Sequence, residues 1–271
     1  MRVAIIGCGA IGSIIAKAIA DGAVPAELVL LCDADRKAAE KVSGFFKRKP
    51  RIAESIEEIV NSNADLVVEA ASQGVVKLFA PKILSSKKSM MLMSVGALAD
   101  EKFFDKIKKV AEKKRVKLYL PSGAIGGLDA LKSASAAKIY EVTLTTTKPP
   151  NALKGAPYLT EKGIDVGKIR KKTILYEGSA TEAIKKFPAN VNVAATLGLA
   201  GIGVKKTKVR VAADPSIDKN VHEIFARGDF GEFKFKVENV PSPQNPRTSY
   251  LAALSAIATL KKITSPVEIG T

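Results

Sequence analysis

From Arg2 to Leu120, short apolar runs alternate with amphipathic stretches, and that rhythm predicts the first half of the fold. Val3-Ala4-Ile5-Ile6 is a buried strand, and Ile14 to Ala20 continues as an apolar, alanine-rich helix. Val29 to Asp33 is the second strand and Arg36 to Phe46 a polar helix. Ser55-Ile56-Glu57-Glu58 is a capping box that opens a short helix ending near Asn61. Asp65 to Ala71 forms the next buried strand, and a helix runs from there to about Leu84. Met90 to Val95, the helix Asp100 to Lys113 and the strand Val116 to Leu120 complete the series. Buried strands separated by helices at this spacing predict a doubly wound parallel sheet.

The pattern changes at Pro121, which opens the glycine-rich turn Pro121 to Gly127. Strand-like alternation follows at Glu141 to Thr147 and Lys172 to Glu177. Ser179-Ala180-Thr181-Glu182 is a second capping box for a helix through Lys186, and Pro188 separates it from an apolar helix over Val191 to Leu199. Lys206 to Ala212, Val221 to Phe225 and Phe233 to Val240 read as antiparallel strands with polar outer faces. Pro241, Pro243 and Pro246 predict a rigid loop, and Thr248 to Leu260 a closing amphipathic helix. The expected fold is α/β: a doubly wound domain over 1–121, then an α+β domain over 122–246 on a mostly antiparallel sheet. Residues 247–271 are expected to pack back on the first domain.

The first strand runs without a gap into Gly7-Cys8-Gly9-Ala10-Ile11-Gly12, and this G-x-G-x-x-G in its strand–helix setting predicts a dinucleotide-binding Rossmann turn. Gly7 turns the chain, Gly9 admits a pyrophosphate against the backbone, and Gly12 lets helix and strand pack closely. Ala10 and Ile11 lie in the same turn, where the helix N-terminus offers N–H groups to the phosphates. Asp33 ends the second strand 21 residues past Gly12, placed to accept hydrogen bonds from ribose hydroxyls, which favours NAD. Arg36 and Lys37 follow closely enough to offset its charge in part and so admit NADP. The alternative is a glycine turn in an α/β protein that binds no nucleotide.

Composition narrows the picture. The 271 residues are 46% hydrophobic and 26% charged, ordinary for a globular protein. No apolar run approaches the roughly 18 residues of a membrane span. A first strand beginning at Arg2 leaves no room for a signal peptide, so a cytoplasmic protein is expected. Cys8 and Cys32 then read as core thiols rather than a disulfide. The net charge of +16 invites a nucleic-acid reading, but Lys and Arg are spread along the chain and form no basic arm or aromatic RNA-binding signature. The charge instead favours anionic small molecules.

His222 is the only histidine, and histidine suits proton transfer near neutral pH. The competing reading is a structural histidine hydrogen-bonded on a sheet. One histidine and two strand cysteines argue against a metal site. Asn190 and Asn192 flank Val191 at the proline break, where amides serve as helix caps or bind a carboxamide or carboxylate.

Three segments are more specific than the glycine turn: Phe187 to Thr196, Asp214-Pro215 with Asn220 to Ile224, and Glu238 to Ser242 with Asn245 to Ser249. With them the chain resembles the L-aspartate dehydrogenases over nearly its whole length. The resemblance implies NAD(P)-dependent oxidative deamination of L-aspartate to iminoaspartate. The imine either hydrolyses to oxaloacetate and ammonia or feeds NAD biosynthesis. It also implies a homodimer, with the second domain serving catalysis and dimerisation. It puts the active-site histidine on His222 and nicotinamide-cofactor contacts on Ala124 and Asn190. Asn192 and Thr196 are further candidates for binding substrate. Two other readings stay open: another aspartate-pathway oxidoreductase, of the homoserine dehydrogenase or dihydrodipicolinate reductase type, and a dinucleotide-sensing regulator that is not an enzyme.

Overall fold

The structure is a computed structural model that describes residues 1–188, 191–242 and 245–270. Its packing divides into two units, one of Met1–Pro121 with Ala252–Glu268 and the other chiefly of Ser122–Leu251.

In the first unit, β1 (Arg2–Ile6) buries Val3, Ala4, Ile5 and Ile6 on both faces, as a central parallel strand must. The chain continues through α1 (Ala10–Ala20), β2 (Glu27–Cys32), α2 (Arg36–Ser43), β3 (Arg51–Ile52), α3 (Ile56–Val60) and β4 (Leu66–Glu69). Then come α4 (Gln73–Ser85), β5 (Ser89–Leu92), α5 (Glu101–Lys114) and β6 (Leu118–Tyr119). All strand pairs are parallel, and the six-stranded order is β3-β2-β1-β4-β5-β6, a doubly wound Rossmann sheet. α2 is shorter than its sequence suggested: it stops at Ser43, and Phe45 and Phe46 leave it to pack against the core. Ser55 makes no side-chain cap, and Glu58 accepts from the N–H of Glu54, the residue before the cap, at 2.8 Å.

The second unit begins with α6 (Leu128–Ala134), which the sequence pattern did not reveal, and the long strand β7 (Ile139–Lys148). α7 (Pro157–Glu161), β8 (Thr173–Ser179), α8 (Ala180–Lys186) and α9 (Val191–Ala200) lead to β9 (Lys208–Ala213). The hairpin of β10 (Asn220–Gly228) and β11 (Gly231–Asn239) completes a five-stranded sheet ordered β11-β10-β7-β9-β8. The sheet is mostly antiparallel, as expected, and the exception is β9, which runs parallel to β7 after a long crossover. The expected rigid proline loop is instead a short ribbon in which β12 (Pro241–Ser242) pairs with β13 (Asn245–Ser249). Pro243 lies outside the described residues.

One face of the second sheet is covered and the other is polar. Val142, Leu144, Thr146 and Lys148 alternate inward along β7, while Glu141, Arg210, Glu223 and Lys236 stand on the open side. α8 packs on β8 and β9, α9 on α8, and Phe187 closes the cluster against Tyr158 and Tyr176.

The last helix, α10 (Tyr250–Thr264), sends Ala256 and Leu260 into the core around Ile5, Ile15 and Leu31. Leu260 is fully buried. Leu260→Ala should therefore lower stability by about 2–5 kcal/mol, read from urea unfolding. Leu254→Ala, on an exposed position of the same helix, should cost under about 0.5 kcal/mol.

Candidate functional site

The glycine turn of the first unit is built by steric necessity. Gly7 has φ +97°, and a Cβ there would lie 2.5 Å from the Ala70 carbonyl oxygen. A Cβ on Gly12 would lie 1.8 Å from the Gly7 carbonyl oxygen, so any larger residue forces α1 off β1. A Cβ on Gly9 would meet nothing within 4 Å, which leaves bare backbone on that side. Gly9 caps α1 without a side-chain acceptor, and the first turn of the helix holds no acidic residue. Its N–H groups, Ala10 and Ile11 among them, suit the oxygens of a pyrophosphate.

Asp33 clamps this turn. Its Oδ2 accepts from the Cys8 N–H at 2.5 Å and its Oδ1 from the Asp35 N–H at 2.8 Å. A carboxylate has about four acceptor positions, so capacity remains for a ribose hydroxyl. Arg36 is exposed and held by Glu40 at 3.2 Å. Cys8 and Cys32 are free and buried, and burial beside Asp33 pushes the Cys8 thiol up to about 12.

Glu69 was not singled out in the sequence, although a carboxylate ending an apolar strand was the available signal. It is fully buried at the end of β4 and accepts from the Ala71 N–H at 2.8 Å, the Ser94 N–H at 3.0 Å and the Ser94 hydroxyl at 2.8 Å. Burial raises its pKa against these hydrogen bonds. It ties together the segments that leave β4 and β5 on the side of the glycine turn.

In the second unit His222 lies on β10, 5% exposed, on the covered face of the sheet. It stands opposite Thr146 on β7 and Val237 on β11. Its Nδ1 is 2.9 Å from the Thr146 hydroxyl. Two residues further along β7, on the same face, is Lys148, 7% exposed. Burial, with Lys148 nearby, lowers the His222 pKa to about 4, and burial lowers that of Lys148 to about 8. The imidazole is therefore neutral at physiological pH. If its Nδ1–H donates to Thr146, the lone pair at Nε2 is left free to take a proton.

Asn239 ends β11 beside this row, opposite Asn220. Its Nδ2 donates to the Ala124 carbonyl at 3.0 Å, and its Oδ1 accepts from the Ser249 hydroxyl. This bond fixes Ala124 of the glycine-rich turn to the end of the sheet where Asn220 lies. Thr196 is buried on α9 and Asn192, one turn earlier, is exposed. Asn190 lies outside the described residues. Thr146, Lys148 and Asn239 escaped the sequence reading. Lys148 was nevertheless legible by parity, being the next inward position after Val142, Leu144 and Thr146. Among the described residues, no group of His, Cys, Asp and Glu could hold a metal ion, and no helix is long and apolar enough to cross a membrane.

Comparison with known proteins bears on both units. Residues 7–121 match the family model for the homoserine dehydrogenase NAD-binding domain, and residues 129–263 match that for the aspartate dehydrogenase C-terminal region. An L-aspartate dehydrogenase of Methanosarcina mazei is 54% identical over 271 residues, and one of Methanosarcina acetivorans 52%, each match spanning all of both chains. The crystal structure of aspartate dehydrogenase from Thermotoga maritima is 31% identical, covers 100% of this chain and 99% of its own, and superposes with a TM-score of 0.78. With such identity over its full length, and with both of its units matched, the chain belongs to the L-aspartate dehydrogenase family.

Proposed function

We propose that the protein is an L-aspartate dehydrogenase that uses a nicotinamide dinucleotide to convert L-aspartate to iminoaspartate, which water then hydrolyses to oxaloacetate and ammonia. The observation that carries this reading is the end-to-end identity of about half with L-aspartate dehydrogenases. The bound dinucleotide supplies the acceptor for the hydride that leaves Cα.

The chain's own residues divide the remaining work. Gly7, Gly9, Ala10, Ile11 and Gly12 present backbone to the pyrophosphate, and Asp33 receives the adenosine ribose. Ala124, anchored by Asn239, and Asn190 contact the nicotinamide half. Asn192 and Thr196 are assigned to the substrate. As the hydride departs, the amine lone pair closes the C=N bond and a proton must leave nitrogen. His222, neutral and held by Thr146, takes that proton at Nε2 or activates the hydrolysing water. NAD is the preferred cofactor because the Asp33 carboxylate repels a 2′-phosphate, and NADP is accepted to a lesser degree. The protein works in the cytoplasm and as a homodimer, the assembly that the resemblance to the aspartate dehydrogenases implies.

An amino-acid panel followed by NADH absorbance tests the activity. L-Aspartate should be turned over well, with little turnover of glutamate or alanine. Equal turnover of homoserine, or none of aspartate, would point to the other aspartate-pathway oxidoreductases. In the same assay kcat/KM should be higher with NAD than with NADP, and a hundredfold reversal would show that Asp33 does not meet the ribose.

His222→Ala should lower turnover by ~10²–10⁴-fold with NADH affinity nearly unchanged, the size expected of lost acid–base catalysis. Activity within threefold of wild type would remove His222 from the chemistry.

Acid stability gives a separate check on the environment of His222. An unfolded histidine binds its proton near pH 6.5, whereas folded His222 resists protonation until about pH 4. The unfolded state thus holds more protons between these values. The contribution of His222 is complete above about pH 6.5 and is lost toward pH 4, roughly 3 kcal/mol in all. Urea midpoints should show a gentler decline for His222→Gln across that window.

A further inference from the structure

We propose that Lys148 is the cation that receives a carboxylate of the substrate beside His222, an inference that rests on the dicarboxylate substrate proposed above. Among the described residues, Lys148 has no ion-pair or hydrogen-bond partner for its ammonium, although it is 7% exposed. Three exposed lysines of the same unit do have partners. Lys172 pairs with Glu223 at 3.8 Å, Lys208 with Glu141 at 3.3 Å and Lys236 with Glu238 at 2.6 Å. A buried ammonium without an anion is costly, and proteins ordinarily supply the partner or place the lysine elsewhere.

The sheet register explains why no partner is at hand. Lys148 pairs across β9 with Ala213, which offers only a methyl group. The nearby carboxylates of Glu223 and Glu238 stand on the open side of the sheet, occupied by Lys172 and Lys236. Asp214 donates its backbone N–H to the Lys148 carbonyl at 2.9 Å, but its carboxylate is turned to the Ser216 hydroxyl and N–H. On the same face, the polar side chains that the register of β7 and β10 sets next in line are Thr146 and His222, neither of which carries negative charge. A substrate carboxylate is the missing partner.

The arrangement also couples binding to proton transfer. Among the described residues, Lys148 is the charged side chain that depresses His222, no carboxylate of β7, β9, β10 or β11 offsets it, and Glu182 of α8 is taken by the Tyr176 hydroxyl at 3.3 Å. When an anion settles on Lys148, that repulsion is cancelled and Nε2 of His222 becomes more basic as the substrate arrives. The proton then passes from the substrate nitrogen to Nε2, and no other oxidant or reductant is required.

The test uses the NADH-loaded protein and succinate, a dicarboxylate without an amine, with binding followed by calorimetry. Lys148→Met should weaken succinate binding by ~30-fold or more, as expected when one member of a buried charge pair is removed. NADH affinity should stay within twofold. The same variant should raise KM for L-aspartate and move the acid limb of kcat/KM to higher pH, because the charge that depresses His222 is gone. Its ligand-free thermal midpoint should be unchanged or higher, since an unpaired buried charge has been replaced by an apolar chain. Lys148→Arg should retain part of the succinate affinity. Succinate binding within twofold of wild type in the folded Met variant would overturn the assignment, as would a lowered midpoint with binding intact, the mark of a structural lysine. If Lys148→Met does not fold, Lys148→Gln takes its place with the same thresholds. A wild type that takes no succinate would also overturn it. A wild type that binds succinate through Lys148 but turns over no aspartate would instead sink the activity reading alone.

Discussion

Taking an imidazole and an ammonium out of water on one face of a sheet, with no carboxylate beside them, is the constraint on which the second unit's chemistry depends. Burial holds His222 neutral, and the positive charge that Lys148 carries below about pH 8 reinforces that state. A neutral imidazole can accept a proton, whereas an imidazolium cannot. The covered face is therefore prepared for a base at the cost of an electrostatic tension that an anion relieves. Thr146 contributes by fixing Nδ1, so that the ring presents its other nitrogen in a defined direction.

The first unit is governed by distances instead of charges. Gly12 lets α1 approach the end of β1, and Gly7 lets the segment leaving β4 approach the turn, to separations that no side chain would allow. Asp33 and Glu69 then hold what the glycines permit. Asp33 clamps the turn from β2, and Glu69 joins the segments leaving β4 and β5. Two carboxylates that bond backbone N–H groups stiffen the strand ends, while the helix N-terminus is left without an acid of its own. The first turn of α1 thus adds no negative charge of its own where phosphates approach.

Much of this was legible in the sequence for a physical reason. Parallel strands buried on both faces leave continuous apolar runs, so Val3–Ile6 and Leu66–Val68 declared themselves. The glycine turn is a short-range device whose parts lie within a few residues of one another. The second sheet was harder to read because its pairings are long-range. Nothing local to Lys208–Ala213 says that it lies parallel to β7, and nothing local to Pro241 says that it pairs with Ser249. Short elements such as β3 and α7 carry too few residues for any period to show. The site divides along the same line. His222 stood out as the only histidine, whereas Lys148 was one basic residue among 43 until the register of β7 set it beside Thr146 on the buried side. Asn239 acts on Ala124 across 115 positions of chain, a relation that only the folded molecule displays.

Cys8 sits between two glycines of the nucleotide turn with its thiol buried and held protonated up to about 12. Alkylating reagents attack the thiolate, so in the closed turn this sulfur is almost inert. Its modification must wait for the loop to breathe open. The rate at which Cys8 is labelled is therefore a gauge of how well the turn stays closed.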